Sequence, residues 1–118
     1  MLSYLCAVCA VFCAACIFMV TTLSGKNMNQ RRIDGAAFRA MLASGLKFLK
    51  ANAEEINSLN VFPIPDGDTG DNMVSTLSGG LHAVAEGQND IGVAAQAAAE
   101  GMLLGARGNS GVILSQMF

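Results

Sequence analysis

Asn60-Val-Phe-Pro-Ile-Pro-Asp-Gly-Asp-Thr-Gly-Asp-Asn72 divides the chain and decides how the rest is read. Three carboxylates, Asp66, Asp68 and Asp71, fall within six residues. Pro63 and Pro65 forbid a helix running into them, because proline lacks an N–H and restricts the residue before it. Gly67 and Gly70 let the backbone turn between the acids. Carboxylates this close repel one another, so a positive partner among them is favoured. A hard divalent cation with oxygen ligands, Mg²⁺ or Ca²⁺, is one reading. An acidic turn built on Asp-Gly chemistry, with no ion, is the other.

Upstream of this loop the pattern is helical. Asp34 is a natural N-cap. Phe38, Met41, Leu42, Gly45, Leu46 and Leu49 recur at the spacing of one helix face, while Arg39, Ser44, Lys47 and Lys50 take other faces. The spacing predicts one helix over Gly35 to Ile56, then a loop over Asn57 to Gly70. Downstream, a second helix is expected from about Asp71, with Met73, Leu77, Leu81 and Val84 as its apolar face. Gly79-Gly80 in its middle costs helix stability, ~1 kcal/mol per Gly relative to Ala. Such a pair marks close approach by a helix or by a ligand, and helix packing is the simpler choice. Ser78, His82 and Glu86 form a polar stripe. His82, the one histidine, has no metal-ligand partner a turn away and reads as a surface residue.

Glu86 to Gly92 reads as a turn, and Val93 to Leu104 as an Ala-rich helix with small packing faces. Gly105-Ala-Arg-Gly-Asn-Ser-Gly111 then leads into the apolar Val112, Ile113 and Leu114, the start of a fourth helix that Asn109 or Ser110 is placed to cap. No alternation of strand type occurs, so the domain is expected to be all-α. The chain stops at Phe118 inside this fourth helix, which reads as a fragment of a longer domain.

The chain has 118 residues and a net charge of −2, with no basic footprint for nucleic acid. The charge is unevenly spread. Residues 1–25 carry no charged side chain, and all four cysteines lie there. Residues 2–23 approach the ~20 apolar residues of a membrane span. They lack the basic start and cleavage site of a secretory signal. Lys26, Arg31 and Arg32 follow them, a bias that would leave the body of the chain in the cytoplasm. Cys6, Cys9, Cys13 and Cys16 fall on one helical stripe. Paired C-x2-C units also suit zinc or an iron–sulfur cluster, but the spacer is short and no turn gathers the thiolates. Buried or lipid-facing cysteines fit better. Met28 opens a second, cytosolic-looking start, so residues 1–27 read either as an anchor or as an over-extended N-terminus.

A helix start preceded by glycines offers free N–H groups and a positive dipole end, suited to phosphate. Arg107 between glycines adds a charge. The alternative is a plain helix–helix turn with a solvated Arg107. Together, an acidic loop for Mg²⁺ and a glycine-rich helix start for phosphate compose one nucleotide site, since Mg²⁺ usually binds through one or two carboxylates plus substrate phosphates. Other sites fail. An EF-hand counted from Asp66 would put Asp71 and Leu77 where Gly and an acid belong. No Lys follows either glycine cluster, as a Walker A loop requires. No strand supports a protein-kinase glycine loop, and His82 supports no Ser–His–Asp grouping.

Asn60-Val-Phe-Pro-Ile-Pro-Asp-Gly-Asp-Thr-Gly-Asp-Asn-Met73 and Gly105-Ala-Arg-Gly-Asn-Ser-Gly-Val-Ile-Leu-Ser-Gln116 resemble the two signatures of the dihydroxyacetone-kinase L-type (DAK2) domain. More closely, they are similar to the N-terminal domain of the bacterial fatty acid kinase A subunit. The resemblance covers about residues 28–118 and leaves 1–27 outside it. It implies an antiparallel helical barrel, DhaL-like, with ATP at one end. It implies that Asp66 and Asp68 are the catalytic acids and hold two Mg²⁺ ions that bridge the nucleotide phosphates. In the dihydroxyacetone-kinase relatives a third acid lies upstream, where this chain has Asn60 and Val61. Asp71 stands where the family usually has a neutral residue, and reads as a further ligand or as a solvated acid at a helix start. The nucleotide positions implied are Thr69, Gly70, Asn72, Met73, Ser78, Gly79, Gly80, Gly105, Arg107, Gly108, Asn109, Ser110 and Gly111.

The function implied is an ATP- and Mg²⁺-dependent kinase that phosphorylates a fatty acid to an acyl phosphate. The acid is delivered by a DegV-type binding protein. A glycerone (dihydroxyacetone)-type kinase and a non-catalytic nucleotide-binding fragment are the alternatives, and the Asn-Val-Phe-Pro-Ile-Pro lead-in argues against the first. The full-length protein is expected to be a cytoplasmic homodimer, with membrane contact through residues 2–23 if that segment is an anchor.

Overall fold

The structure, a computed structural model, describes residues 33–61 and 65–118. The cysteine stripe, the apolar stretch 2–23 and Pro63 lie outside the described residues. Within them the chain is all-α, with five helices and no strand. No described helix is long and apolar enough to cross a membrane.

Helix α1 spans Gly35–Ala51. Asp34 caps it, its Oδ1 accepting from the Ala37 N–H at 2.8 Å. Leu42, Leu46 and Leu49 form its buried stripe, as their spacing predicts. The single helix expected to reach Ile56 is broken at Asn52. The Asn52 side chain donates back to the Phe48 carbonyl at 2.7 Å, and its N–H bonds to Leu49 O at 3.2 Å. An Asn that satisfies the preceding turn with its own amide gives the backbone an alternative to helix. Helix α2 then covers Ala53–Ser58, with Glu54 and Glu55 in its first turn, where the helix dipole favours acids.

Helix α3, Thr69–Ala83, is the centre of the bundle. It buries Met73, Thr76 and Leu77, and Val84 is buried just past its end. It begins two residues earlier than the sequence suggests, because its first turn is held from outside, as described below. Helix α4 spans Ile91–Gly105, and Asp90 caps it by accepting from the Val93 N–H at 3.0 Å. Ala94, Ala98 and Met102 on its inner face have no exposed surface. Asp90→Ala should cost about 1 kcal/mol in denaturant unfolding, the usual worth of a cap. Helix α5, Gly108–Gln116, adds Leu114 to the same core.

Contacts between helices set their directions. Gly35 donates to Asn89 O at 2.9 Å, and Arg39 Nε donates to Val84 O at 3.2 Å, so α1 starts where α3 ends. Ala53, just past α1, lies against Gly70 at the start of α3. Gly79 approaches Gly101 and Gly105, while Gly80 approaches Met102 and Ala98. Numbers rise along α3 as they fall along α1 and α4, so both neighbours run antiparallel to it. A Cβ on Gly79 would stand 2.8 Å from the Gly101 carbonyl oxygen, so the two backbones meet with nothing between them. Helix packing thus occupies the Gly79-Gly80 surface. At the α3 C-terminus, Arg39 also pairs with the exposed Glu86 at 3.3 Å. Exposed pairs contribute little, and the bond to the Val84 carbonyl, beyond the last turn of α3, is the one that ties the elements.

Candidate functional site

The two loops singled out by sequence meet at the beginning of α3. The acidic loop enters α3 directly. Gly67 adopts φ 64, a conformation that side chains with a Cβ rarely take, and so turns the chain between Asp66 and Asp68. Both carboxylates are exposed. Asp66 Oδ1 accepts from the Nδ2 of Asn60, a buried amide. Asp68 occupies the N-cap position of α3, yet its side chain makes no capping bond. Thr69 and Gly70 are buried in the first turn, and Asp71 is exposed beside them. Asp71 Oδ2 accepts from Asn57 Nδ2 at 3.1 Å.

The glycine loop arrives from the other side. Arg107 takes the cap position of α5 with no side-chain cap, which leaves the first-turn N–H groups of Gly108, Asn109 and Ser110 without a capping side chain. Asn109 and Ser110, expected to cap this helix, sit inside its first turn instead. The helix can start this early because Gly108 turns at φ 57 and packs on the Asn72 side chain, where any Cβ would collide. Ser110 Oγ donates across to the Thr69 carbonyl at 3.4 Å. Thr76, fully buried, joins the loops: its Oγ1 donates to Asn72 O at 2.8 Å and accepts from the Arg107 N–H at 3.3 Å. Gly111 lies directly on that hydroxyl. Thr76→Val keeps the shape and removes the hydroxyl, leaving the Arg107 N–H unpaired. That should cost about 1–3 kcal/mol and loosen the glycine loop, which amide hydrogen exchange at Arg107 and Gly108 would register.

Of the positions implied to bind nucleotide, the structure thus gathers Thr69, Gly70, Asn72, Arg107, Gly108, Asn109, Ser110 and Gly111 around the acids Asp66, Asp68 and Asp71. Gly105, the first residue of the glycine loop in sequence, is the last residue of α4. Met73 turns into the core with Leu42, Leu46 and Leu77. Ser78 is half-buried in the second half of α3, and Gly79 and Gly80 face α4. Asn57 and Thr76, which hold the two loops, carry no motif signal. Their partners stand 13 and 31 residues away, and no local spacing records such bonds.

Asp66 and Asp68 are the residues here that could hold a divalent cation. Among the described residues, no three His, Cys, Asp or Glu side chains gather closely enough to hold an ion by themselves. Two exposed carboxylates beside helix N-termini leave most coordination positions to other oxygens. Mg²⁺, where it binds through one or two carboxylates, takes water and phosphate oxygens for the rest of its shell. The positive ends of α3 and α5 add attraction for an anion at the same place.

Part of the chain is similar to a known domain and to known proteins. Residues 63–118 match the DAK2 domain. Protein YloV of Bacillus subtilis (strain 168) is 48% identical over 92 residues, which are 77% of this chain and 17% of that protein. An uncharacterized protein of Staphylococcus saprophyticus is 48% identical over 88 residues, 74% of this chain and 16% of its own length. An uncharacterized protein of Staphylococcus aureus (strain USA300) is 47% identical over the same length. The chain therefore spans under a fifth of the curated relatives it matches, 17% and 16% of the first two. Asp66, Asp68 and Asp71, the glycine loop, and the helices α3, α4 and α5 all lie within the stretch, residues 63–118, that is similar to the DAK2 domain.

Proposed function

We propose that the chain supplies the phosphate-binding end of an ATP- and Mg²⁺-dependent kinase that converts a fatty acid, carried by a DegV-type binding protein, into an acyl phosphate. The observation that carries this reading is the joining of the acidic loop to the uncapped start of α5 through Ser110 and Thr76. Asp66 and Asp68 would hold Mg²⁺, which offsets the negative charge of the phosphates when bound. The N–H groups of Gly108, Asn109 and Ser110 would donate to phosphate oxygens, and the exposed Arg107 stands beside them.

The acceptor is a carboxylate and is already anionic. Its oxygen forms a bond to the γ-phosphorus as the bond to the ADP oxygen breaks, and no proton has to be removed. A general base is therefore unnecessary. Catalysis rests on alignment and charge neutralisation, as in phosphoryl transfer generally.

The test is acceptor competition in the full-length protein. With MgATP, carrier-bound fatty acid should give ADP and a hydroxylamine-trappable acyl phosphate. Dihydroxyacetone should give neither product. Phosphorylation of dihydroxyacetone alone would replace the fatty-acid reading with the glycerone-type one.

A further inference from the structure

The start of α3 has an unusual division of labour. An Asp at the N-cap position ordinarily turns its carboxylate onto the N–H of the second or third helical residue. Asp68 holds that position and does not do so. The N–H of Gly70, the second residue of the helix, is instead taken by Asn57 Oδ1 at 2.7 Å, from α2 and 13 residues earlier in the chain. The other arm of the same amide donates to Asp71 Oδ2 at 3.1 Å. Asn57 is half-buried, and both ends of its amide are engaged with the first turn of α3.

We propose that Asn57 is a positioning residue that caps α3 from outside, so that the Asp68 carboxylate stays free to hold a divalent cation. This rests on the kinase reading above for the identity of the ion, but the capping exchange is a property of this chain alone. Without the Asn57 oxygen, the Gly70 N–H is orphaned, and Asp68 would take it up by moving from φ −116, ψ 5 into the extended cap conformation that Asp34 and Asp90 adopt. A carboxylate drawn onto a backbone N–H is partly neutralised and aimed away from the ion. Asn57 also holds Asp71 to one side, which keeps its negative charge from reorienting toward the helix start.

The test is titration of the full-length protein with Mg²⁺ in the presence of a non-hydrolysable ATP analogue, with thermal melting in metal-free buffer alongside. Asn57→Ala should raise the Mg²⁺ concentration needed for nucleotide uptake about tenfold, the usual scale for losing a partner behind a metal ligand. The charge-conserving swap N57D with D71N presents an oxygen to Gly70 and reverses the donor in the second bond. It should restore the Mg²⁺ requirement to within about twofold of the unsubstituted protein, well inside that tenfold window. A purely structural Asn57 predicts a lower melting temperature with an unchanged Mg²⁺ requirement, and that result would overturn the proposal. So would a folded swap that needs about tenfold more Mg²⁺ than the unsubstituted protein, an outcome readable even where Asn57→Ala fails to fold. Absence of any Mg²⁺-dependent uptake by the unsubstituted protein would instead strike the kinase reading, and this proposal with it.

Discussion

Exchanging Asp66 and Asp68 together for Asn should abolish Mg²⁺-dependent phosphoryl transfer and leave the fold standing. Both side chains are exposed and neither contributes to the core. Asn is nearly isosteric with Asp, and its carbonyl can still accept from Asn60 as Asp66 does. Surface replacements of this kind usually move stability by no more than about 0.5 kcal/mol. Function should move far more. An amide offers a neutral oxygen where a hard cation needs a charged one, and metal stabilisation of phosphoryl charge is worth several kcal/mol. At 1.36 kcal/mol per factor of ten, even ~4 kcal/mol is about a thousandfold in rate. ADP release by the full-length protein, with a melting curve as control, reads both quantities. If the doubly substituted protein takes up nucleotide at an unchanged Mg²⁺ concentration, the acids do not grip the ion and the proposed function fails.

Gly70→Ala and Gly45→Ala should change stability in opposite directions, although both put Ala for Gly inside a helix. Helix propensity alone predicts a gain of up to ~1 kcal/mol for each. At Gly45, an added Cβ meets nothing within 4 Å, so the gain should appear in full. At Gly70, the Cβ would stand 2.9 Å from the Ala53 Cα and closer still to its carbonyl oxygen. Those are backbone atoms and cannot swing aside. Overpacking of this kind costs about 1–3 kcal/mol, sometimes more, so the clash outweighs propensity, and a net loss of roughly 1 kcal/mol follows from the same balance. Denaturant unfolding of the two variants decides the matter. A stabilised Gly70→Ala would mean that α2 and α3 do not touch as described. Because Gly70 also carries the N–H that Asn57 caps, its displacement should weaken Mg²⁺ uptake too, while Gly45→Ala should not.

The helices themselves are legible in the chain. Leu42, Leu46 and Leu49 announce α1 by spacing, Asp34 announces its start, and Met73 and Leu77 announce α3. The packing role of Gly79-Gly80 is also readable, because two glycines at mid-helix must admit something close. Helix ends are less so. Asn52 breaks what apolar periodicity paints as one helix, because a side-chain bond to Phe48 O competes with the next helical turn. The start of α5 at Gly108 rather than at Asn109 or Ser110 depends on how that glycine meets Asn72, a residue in another helix. The acids and glycines of the site stand out in sequence because their residue types are unusual at such spacing. Asn57 and Thr76 do not, because an Asn in a short helix and a Thr in a core face are ordinary until their partners are known.

Apolar periodicity, proline and glycine act within a few residues, so they already settle that the described residues are helical and that an acidic loop and a glycine loop each open a helix. Bonds such as Gly70 N–H to Asn57 and Arg107 N–H to Thr76 join residues far apart in the chain, and only folding brings them within reach. That is why the meeting of the two loops at one end of α3, and the release of Asp68 from capping duty, belong to the packed bundle and to no single stretch of it.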